Sequence, residues 1–255
     1  MIKIFKKIIT VVVSSFFLIA CSEDFKSMSI TKKSLHQPER FSGDSESDKN
    51  RKPLSILDFA EIKPGMHIID LLGGGGYYTE LFNYIVGYEG KVHIQNTTLF
   101  LKFSKDELEK RLKNNRLQNV ERLDSDFFDM KLPENTDLIF IGLSYHDIYV
   151  AREDKLLTTT REEFFPQIMS ALKPGGHLVI IDHAAEPGTG NSLTTKLHRI
   201  DEKWAINDIE SAGFKLIKTS DILRNPKDDY NLDIWKKKVF RRTDRFVHMY
   251  QKPES

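Results

Sequence analysis

The sequence predicts an α/β fold: a mostly parallel seven-stranded sheet with an antiparallel last strand and helices on both faces. At residues 67–79 an apolar strand runs into four consecutive glycines and then into a helix start. Beyond it, strand-like segments alternate with segments of helical spacing, the order that builds a parallel sheet with helical crossovers. Near the C-terminus two strand-like segments follow each other with no helix between them, which favours antiparallel pairing of the last strand.

The N-terminus has the features of a lipoprotein signal peptide at residues 1–20. Three lysines precede an apolar run that ends at Ala20, and the four residues up to Cys21 resemble a lipobox. We expect Cys21 to carry acyl chains that anchor the protein in a membrane, on the periplasmic side of a bacterial envelope. A simple N-terminal membrane anchor is the alternative interpretation. Both place the folded part outside the cytoplasm.

Residues 21–50 are rich in Ser, Lys, Asp and Glu and poor in large apolar side chains. This composition predicts a polar tether that becomes ordered only near its end. The folded domain is expected to span residues 51–255, which is long enough for one full core. Its first segment, 54–59, has helical spacing, and we expect this arm to lie over a ligand cleft.

Strand-like and helix-like segments alternate regularly through the first half of the domain. The expected elements there are a strand at 67–71, a helix at 78–86, a strand at 91–95 and a helix at 104–115. Pro64-Gly65 separates the arm from the first strand. Ser104 and Glu107 have the spacing of a capping box at the start of the last helix.

In the second half a Pro-Gly pair again marks the return from a helix into a buried strand, at Pro174-Gly175. The expected elements are strands at 120–123 and 137–143, a helix at 161–172, a strand at 177–182, a helix at 202–212, and strands at 214–219 and 243–250. The chain therefore supplies enough strands for seven positions in one sheet.

The turn after the first strand indicates a ligand site. Only glycine tolerates a left-handed or very tight backbone there and lets a ligand approach the main chain closely. No Gly-Lys-Ser/Thr follows the glycines, which excludes a phosphate-binding P-loop. A dinucleotide fingerprint that begins at Gly73 would place Tyr78 where its third glycine should be, which disfavours a dehydrogenase. A plain glycine turn remains the alternative.

The hydrophobic-Asp-x-x-x-Gly-x-Gly pattern resembles the loop of Rossmann-like class I methyltransferases that bind S-adenosylmethionine. Residues 51–253 resemble a family of predicted bacterial methyltransferases that occur as secreted or lipid-anchored envelope proteins. The other matching stretches are Arg51-Lys-Pro53, Tyr145-His-Asp147, Asp182-His-Ala184, Leu197-His-Arg-Ile-Asp201, Leu223-Arg-Asn-Pro226 and Thr243-Asp-Arg-Phe246. The resemblance implies methyl transfer from S-adenosylmethionine to an acceptor that the sequence does not identify. It also implies that the loop 221–242 contacts the acceptor.

The resemblance assigns a set of cofactor-binding residues. They are Asp70, Gly73, Gly74, Gly75, Gly76, Tyr77, Gln95, Asn96, Asp126 and Phe127. Asp70 is expected to orient the loop and to bind near the methionine amine. Leu72 departs from the family pattern, because the first glycine of the loop usually stands there.

The adenosine contacts leave alternatives open. Gln95 and Asn96 stand where an Asp or Glu normally accepts hydrogen bonds from the ribose hydroxyls; an amide oxygen can accept one such bond without the charge that strengthens it. Asp126 and Phe127 follow the third strand and would contact the adenine. The alternatives are a helix cap for Asp70, the aspartate beside the glycine turn, and a core position for Phe127.

Tyr145, His146 and Asp147 follow the fourth strand, and we expect them to be the catalytic group. His146 is the best general-base candidate because its unperturbed pKa lies near neutrality, and Asp147 could orient it. The alternative is that His146 only binds the strand end while Asp147 caps the next turn.

His183, His198 and Arg199 are expected to converge on the same cleft and contact the substrate. Arg199 would suit an anionic acceptor or the cofactor carboxylate through a bidentate pair. A metal site built from the histidines and Asp147 is an alternative, although no His-Glu-x-x-His arrangement supports it. We therefore expect no metal.

Composition limits the partners. The formal charge of +1, from 38 basic and 37 acidic residues, lacks the basic excess of a nucleic-acid-binding protein. Cys21 is the only cysteine, so the domain has no internal disulfide and no thiol nucleophile. A small molecule or an envelope component is the expected acceptor.

The expected location conflicts with the supply of S-adenosylmethionine, which is made in the cytoplasm. Three hypotheses remain open. The first is an envelope methyltransferase, the second a non-catalytic lipoprotein that binds a small ligand, and the third a metal-assisted envelope hydrolase. Fold alone cannot select among them.

Overall fold

The computed structural model describes residues 25, 27–154 and 158–254. The signal peptide and the lipidation site predicted at Cys21 lie outside these residues. Within the described part of the chain, no helix is both long and apolar enough to cross a membrane.

A single sheet of seven strands forms the centre of the protein, in the order β3-β2-β1-β4-β5-β7-β6. The strands are β1 (His67–Leu71), β2 (Lys91–Asn96), β3 (Val120–Asp124), β4 (Thr136–Gly142), β5 (Leu172–His183), β6 (Lys215–Ser220) and β7 (Arg245–Gln251). The first five strands are parallel, and β7 pairs antiparallel with both β5 and β6. The predicted fold class, including the antiparallel last strand, is confirmed.

Helices cover both faces of the sheet. They are α1 (Ile30–Leu35), α2 (Asp44–Arg51), α3 (Pro53–Phe59), α4 (Tyr77–Val86), α5 (Thr98–Leu112), α6 (Arg161–Ala171), α7 (Thr194–Leu197) and α8 (Glu202–Ser211), with short 3-10 turns at Lys113–Asn115 and Tyr145–Tyr149. Neighbouring residues of β1 point to opposite faces, so Ile69 packs in one apolar core and Ile68 in the other. A strand buried on both faces reads as a continuous apolar run, as β1 does.

Helix α5 begins six residues earlier than predicted. The side chain of Thr97 accepts a hydrogen bond from the backbone N–H of Phe100 and caps the helix at this point. Ser104 lies inside the helix and donates to the carbonyl of Phe100 at 2.8 Å. The predicted capping box of Ser104 and Glu107 is therefore wrong, since an earlier cap leaves both residues in the helix interior.

Residues 30–51 form two helices where the composition predicted a polar tether; we call this segment the N-terminal arm. Its charged residues are paired rather than solvated. Arg40 holds Asp48 with two hydrogen bonds, at 2.6 and 2.7 Å. Asp44 accepts two from Arg111 of α5, which is fully buried. Composition could not reveal these partners, because Arg111 lies more than sixty residues further along the chain.

Candidate active site

A cleft of about 800 Å³ opens at the carboxyl ends of the central strands, where ligands bind in open α/β sheets. The glycine loop between β1 and α4 forms its floor, together with residues that follow β4 and β5. The N-terminal arm contributes Ser47, Asn50 and Arg51, whereas the segment 54–59 that was expected to lie over the cleft does not line it. The loop before β7 closes the other side with Ile234 and Trp235.

Two glycines of the loop lie directly against carboxylates. A Cβ atom on Gly73 would lie 2.8 Å from the carboxylate of Asp70, which is buried and cannot move away easily. A Cβ atom on Gly75 would lie 2.4 Å from the carboxyl carbon of Glu107. The loop therefore keeps two carboxylates within contact distance of its main chain.

Asp70 lies at the base of the loop and lines the cleft. Its Oδ2 accepts a hydrogen bond from the hydroxyl of Thr79 at 2.6 Å. Burial raises the pKa of Asp70 to about 6, although the hydrogen bonds from Thr79 act in the opposite direction. A buried carboxylate with a raised pKa is a candidate partner for a cationic ligand group.

Gln95 and Asn96 do not line the cleft, in contrast to the expected ribose contact. Asn96 accepts from the backbone N–H of Gly74 at 2.8 Å and donates to its carbonyl at 3.0 Å. Gln95 donates to the carbonyl of Ser125 at 2.7 Å. Both amides are fully buried and support the glycine loop from behind. The carboxylate that faces the cleft beside the loop belongs to Glu107 of α5.

Asp126 and Phe127 also lie away from the cleft lining. Asp126 accepts from the backbone N–H of Thr98 at 2.9 Å, at the first residue of α5. Phe127 is fully buried in the core, with its ring 6.3 Å from that of Phe164. Phe127 thus takes the core position that was the alternative to an adenine contact, and Asp126 binds the start of α5 instead of the cleft.

Gly76 and Tyr77 complete the predicted loop residues. Gly76 is the N-cap of α4 with a φ of 83°, which glycine adopts without strain. It does not line the cleft, whereas Tyr77 does, together with Gly73, Gly74 and Gly75. The hydroxyl of Tyr77 donates to Asp48 of the N-terminal arm at 2.5 Å. The arm is therefore attached directly to the start of the helix that follows the loop.

His146 is the best-placed acid–base group in the cleft. Asp182 accepts from its backbone N–H at 2.6 Å and lies 2.8 Å from its Nδ1. Because Nδ1 donates to this carboxylate, a neutral His146 keeps its lone pair on Nε2. Burial acts to lower the pKa of His146, but Asp182 and Asp147 outweigh it, and the pKa lies above its ordinary value.

Asp147 lies beside this imidazole at the cleft surface. Its Oδ2 is 3.6 Å from Nε2 of His146. Its Oδ1 accepts from Arg152 at 2.6 Å, so the orientation of the carboxylate is fixed. The predicted pairing of His146 with Asp147 is present, although Asp182 is the closer partner.

His183 and His198 both line the cleft as predicted. Their rings lie 5.9 and 5.6 Å from the ring of His146. Burial lowers the pKa of His183 well below its ordinary value, with His146 and Arg245 adding to the effect. Burial and His146 lower the pKa of His198 as well. Of the three imidazoles, only His146 is stabilised in its charged form.

Tyr145 and Arg199 were expected at the cleft, but both point elsewhere. Tyr145 is fully buried and donates its hydroxyl to Asp208 of α8. Arg199 is also fully buried and forms a two-point ion pair with Asp228, at 2.8 and 3.1 Å. Its remaining donors bind backbone carbonyls. Neither residue retains a group for the substrate, so these two assignments are corrected.

Four arginines line the cleft: Arg152, which is paired with Asp147, Arg241, Arg51 and Arg245. Arg245 is 6% exposed and donates to the carbonyl of Asn50 at 2.7 Å, while its Nε is buried without a partner. Arg51 lies over the ring of Tyr77 at 4.4 Å. Within the part of the chain that the structure describes, neither guanidinium forms an ion pair. Together they supply uncompensated positive charge for an anionic ligand group.

The histidines do not form a metal centre in the described ranges, where no group of three or more His, Cys, Asp or Glu residues is arranged to hold an ion. The hydrolase alternative therefore gains no support from the geometry. The cleft mouth is instead apolar. It is lined by Leu99, Phe100, Phe103, Val150, Ile234, Trp235 and Phe240.

Sequence reasoning missed four residues that face or support the cleft: Glu107, Asp182, Arg245 and Trp235. Asp182 and Arg245 stand in stretches that resembled the methyltransferase family, and that resemblance was the signal that could have identified them. Glu107 was interpreted as part of a helix cap, because its approach to Gly75 depends on tertiary packing. Trp235 lies in the loop 221–242, which was expected to contact the acceptor.

Comparisons with known proteins agree with this geometry at the level of the fold. No family model matches the chain. A ubiquinone/menaquinone biosynthesis C-methyltransferase of Idiomarina loihiensis is 23% identical over 167 residues, covering 65% of this chain and 59% of that protein. Its counterpart in Ectopseudomonas mendocina is 26% identical over 144 residues, covering 56% and 50%. The chain thus spans little more than half the length of these curated relatives.

A solved structure extends the likeness across almost the whole domain. The crystal structure of a SAM-dependent methyltransferase from Aquifex aeolicus matches with a TM-score of 0.56 and 21% identity, covering 88% of this chain and 99% of that one. At this identity the match establishes the fold alone. The architecture described above is that of the Rossmann-like class I methyltransferases.

Proposed function

We propose that this chain, which has the class I methyltransferase fold, is an S-adenosylmethionine-dependent methyltransferase. One observation carries the proposal: the glycine loop, two carboxylates and two unpaired arginines line the same cleft as His146. A cofactor with a ribose, an amine and a carboxylate needs such a combination of groups. The curated relatives, which are named as methyltransferases, support the same reaction class.

The residues present fit this cofactor. Glu107 would accept a hydrogen bond from the ribose hydroxyls through Oε2, since its Oε1 accepts from Arg111 at 3.0 Å; it would take the place of the acidic residue that β2 lacks. Asp70 would bind the amine, and Arg245 with Arg51 would bind the carboxylate. The unpartnered Nε of Arg245 supports this role, because a buried donor without an acceptor is costly unless a ligand satisfies it. When bound, S-adenosylmethionine supplies an electrophilic methyl group on a sulfonium.

His146 would remove a proton from the acceptor. Its Nε2 faces the cleft side of the imidazole because Nδ1 is held by Asp182. The rest of the protein's contribution is to align acceptor and methyl group, since displacement at carbon requires an in-line approach. His183 and His198 lie beside His146 and would stay neutral, so His146 would be the only imidazole of the three to carry a positive charge at the reaction centre.

We further propose that the acceptor is a small, largely apolar molecule with an ionisable group. The apolar mouth of the cleft leads towards His146 and His198. The two curated relatives act, by name, in the biosynthesis of ubiquinone and menaquinone. A lipid anchor at Cys21 in the bacterial envelope remains part of the proposal, and its support is the sequence pattern of residues 1–21.

Calorimetric titration with S-adenosylmethionine tests the proposal. We expect micromolar binding by the purified protein and loss of detectable binding in Asp70→Ala. Asp58→Ala is the matched control, because Asp58 is exposed on α3 and outside the cleft. Absence of binding to the unmodified protein would overturn the proposal. Binding without methyl transfer to any acceptor would favour the non-catalytic ligand-binding alternative.

Cofactor affinity should depend on pH through Asp70. Its folded-state pKa of about 6 lies above its ordinary value of 3.8, so ionisation of the buried carboxylate costs stability, and this cost grows as the pH rises from 4 to 6. A bound ammonium favours the ionised form. Affinity should therefore fall by up to about tenfold for each pH unit below 6 and remain level above it.

Calorimetry at pH 5, 6 and 7 checks this dependence. In Asp70→Asn the slope below pH 6 should vanish, because no titrating group remains at this position. An equally steep slope in Asp70→Asn would show that another group, and not Asp70, is linked to binding.

A further inference from the structure

We propose that the mouth of the cleft docks on the surface of an anionic lipid bilayer. The docking surface, here called the cleft rim, has two sides. One side is the exposed start of α5, with Phe103 between Lys102 and Lys105. The other is residues 235–242 of the loop before β7.

Exposed aromatic rings mark both sides of the rim. Phe103 is 86% exposed, Trp235 is 63% exposed and Phe240 is 42% exposed. All three line the same cleft. A soluble protein normally buries large rings, and several of them at one opening mark an interaction surface. Trp and Phe beside lysines are typical of segments that lie at the boundary between headgroups and acyl chains.

Positive charge accompanies the rings. The side formed by residues 235–242 carries the exposed cations Lys236, Lys237, Lys238, Arg241 and Arg242. Lys238 pairs with Asp229 at 3.2 Å. In the described chain, Lys236, Lys237 and Arg241 have no ion-pair partner. Five cations within seven residues give this side of the rim a strong local excess.

The charge distribution favours a bilayer over a nucleic acid. The chain as a whole has a formal charge of only +1, so the positive excess of the rim is a local feature and not part of a generally basic protein. Each Lys or Arg near an anionic membrane surface adds to attraction, and the exposed rings add apolar insertion. An anionic lipid surface satisfies both features at once.

Docking in this orientation would place the cleft opening against the lipid. His198 connects the rim to the site, with its ring 6.3 Å from Trp235 and 5.6 Å from His146. If the proposed function holds, an apolar acceptor could then enter the cleft from the bilayer without crossing water. The docking itself does not depend on methyl transfer.

Fluorescence quenching on vesicles tests the docking in the full chain. The vesicles contain brominated phosphatidylcholine, either alone or mixed with phosphatidylglycerol. Trp235 emission, taken as the signal lost in Trp235→Phe, should be quenched on the anionic vesicles and much less on the neutral ones. Trp204 serves as an internal reference, because it is partly buried against the core. This local readout separates docking of the rim from any attachment through residues 1–24.

The double variant Lys236→Glu/Lys237→Glu should bind the anionic vesicles more weakly. The vesicle concentration required for half-maximal quenching should rise by about tenfold or more. The matched control is Lys63→Glu/Lys215→Glu, because both lysines are exposed at the opposite edge of the sheet. It should leave the quenching unchanged. Binding of S-adenosylmethionine, measured by calorimetry, should remain the same in both double variants.

The proposal would be overturned if the protein sediments with the anionic vesicles while the emission of Trp235 is not quenched. Equal losses of quenching in the two double variants would also overturn it, since the attraction of the protein to the vesicles would then not depend on the rim. Failure of cofactor binding in the unmodified protein would instead affect only the proposed function.

Discussion

Replacing His146 with alanine should lower the rate of methyl transfer by about 10²- to 10⁴-fold, the usual contribution of a positioned general base. His146 is the only imidazole of the cleft that its surroundings favour in the charged form. It can therefore accept a proton and hold it. Transfer of tritium from methyl-labelled S-adenosylmethionine into a bacterial lipid extract measures the rate.

His93→Ala is the matched control. His93 lies on β2, outside the cleft, with its Nε2 3.7 Å from Glu121. The His93→Ala variant should transfer methyl groups at the rate of the unmodified protein. Cofactor binding in His146→Ala should remain within about twofold, because the predicted cofactor contacts lie on other elements. A rate in His146→Ala close to that of the unmodified protein would show that this imidazole is not the base.

The pH profile of the reaction gives the same residue a second test. The base must be neutral, so activity should rise with pH through the pKa of His146, which lies above its ordinary value. Asp182→Asn removes a carboxylate that raises this pKa. The rising limb of the profile should therefore move to lower pH in this variant, with a lower maximum. An unchanged limb would assign the titration to another group.

Replacing Arg111 with methionine should reduce the free energy of unfolding by about 3–5 kcal/mol, the cost of breaking a buried ion pair from one side. Its guanidinium is fully buried between Asp44 of the N-terminal arm and Glu80 of α4. It also donates to the carbonyl of Gly75 at 2.5 Å. One side chain thus joins the arm, the glycine loop and two helices.

Urea denaturation measures this loss, and Arg122→Met is the matched control. Arg122 pairs with Asp124 at 2.7 Å on partly exposed side chains, where an ion pair contributes about 0–1 kcal/mol. Proteolysis should also cut the N-terminal arm earlier in Arg111→Met, because the arm loses its partner for Asp44. Arg116 also pairs with Glu80, at 2.6 Å. A loss no larger than that of Arg122→Met would show that Arg116 alone compensates Glu80.

The fold and the glycine loop could be predicted because their signals are local. Strand 67–71 has an aspartate as its last residue but one, and the glycines that follow favour a tight turn or a close approach of a ligand. Alternation of strands and helices then indicates a mostly parallel sheet, although it does not give the order of the strands. His146, Asp147 and His183 also reached the cleft as expected, because residues at the carboxyl ends of the neighbouring parallel strands β4 and β5 must meet. His198 lines the cleft as well, at the end of the short helix α7.

The direction in which a side chain points was harder to predict than the position of its residue near the cleft. Tyr145 directly precedes His146, yet its hydroxyl lies in the core with Asp208. Arg199 directly follows His198, yet its guanidinium is held by Asp228. Tyr145 and His146 lie in a 3-10 turn, and His198 has a left-handed backbone conformation. In both places the side chains of the two neighbours point in different directions. Chain position gives no information about which neighbour finds a buried partner.

The sequence alone determined the fold class, the glycine loop and the set of imidazoles, since each follows from residues that are close along the chain or at matching strand ends. Only the tertiary structure decided that Gln95 and Asn96 support the loop from behind, and that Glu107 and Arg245 face the cleft. The physical reason is long-range pairing. A charged or polar side chain can bind a ligand only when its partners in the protein leave a donor or an acceptor free, and many of those partners come from distant parts of the chain.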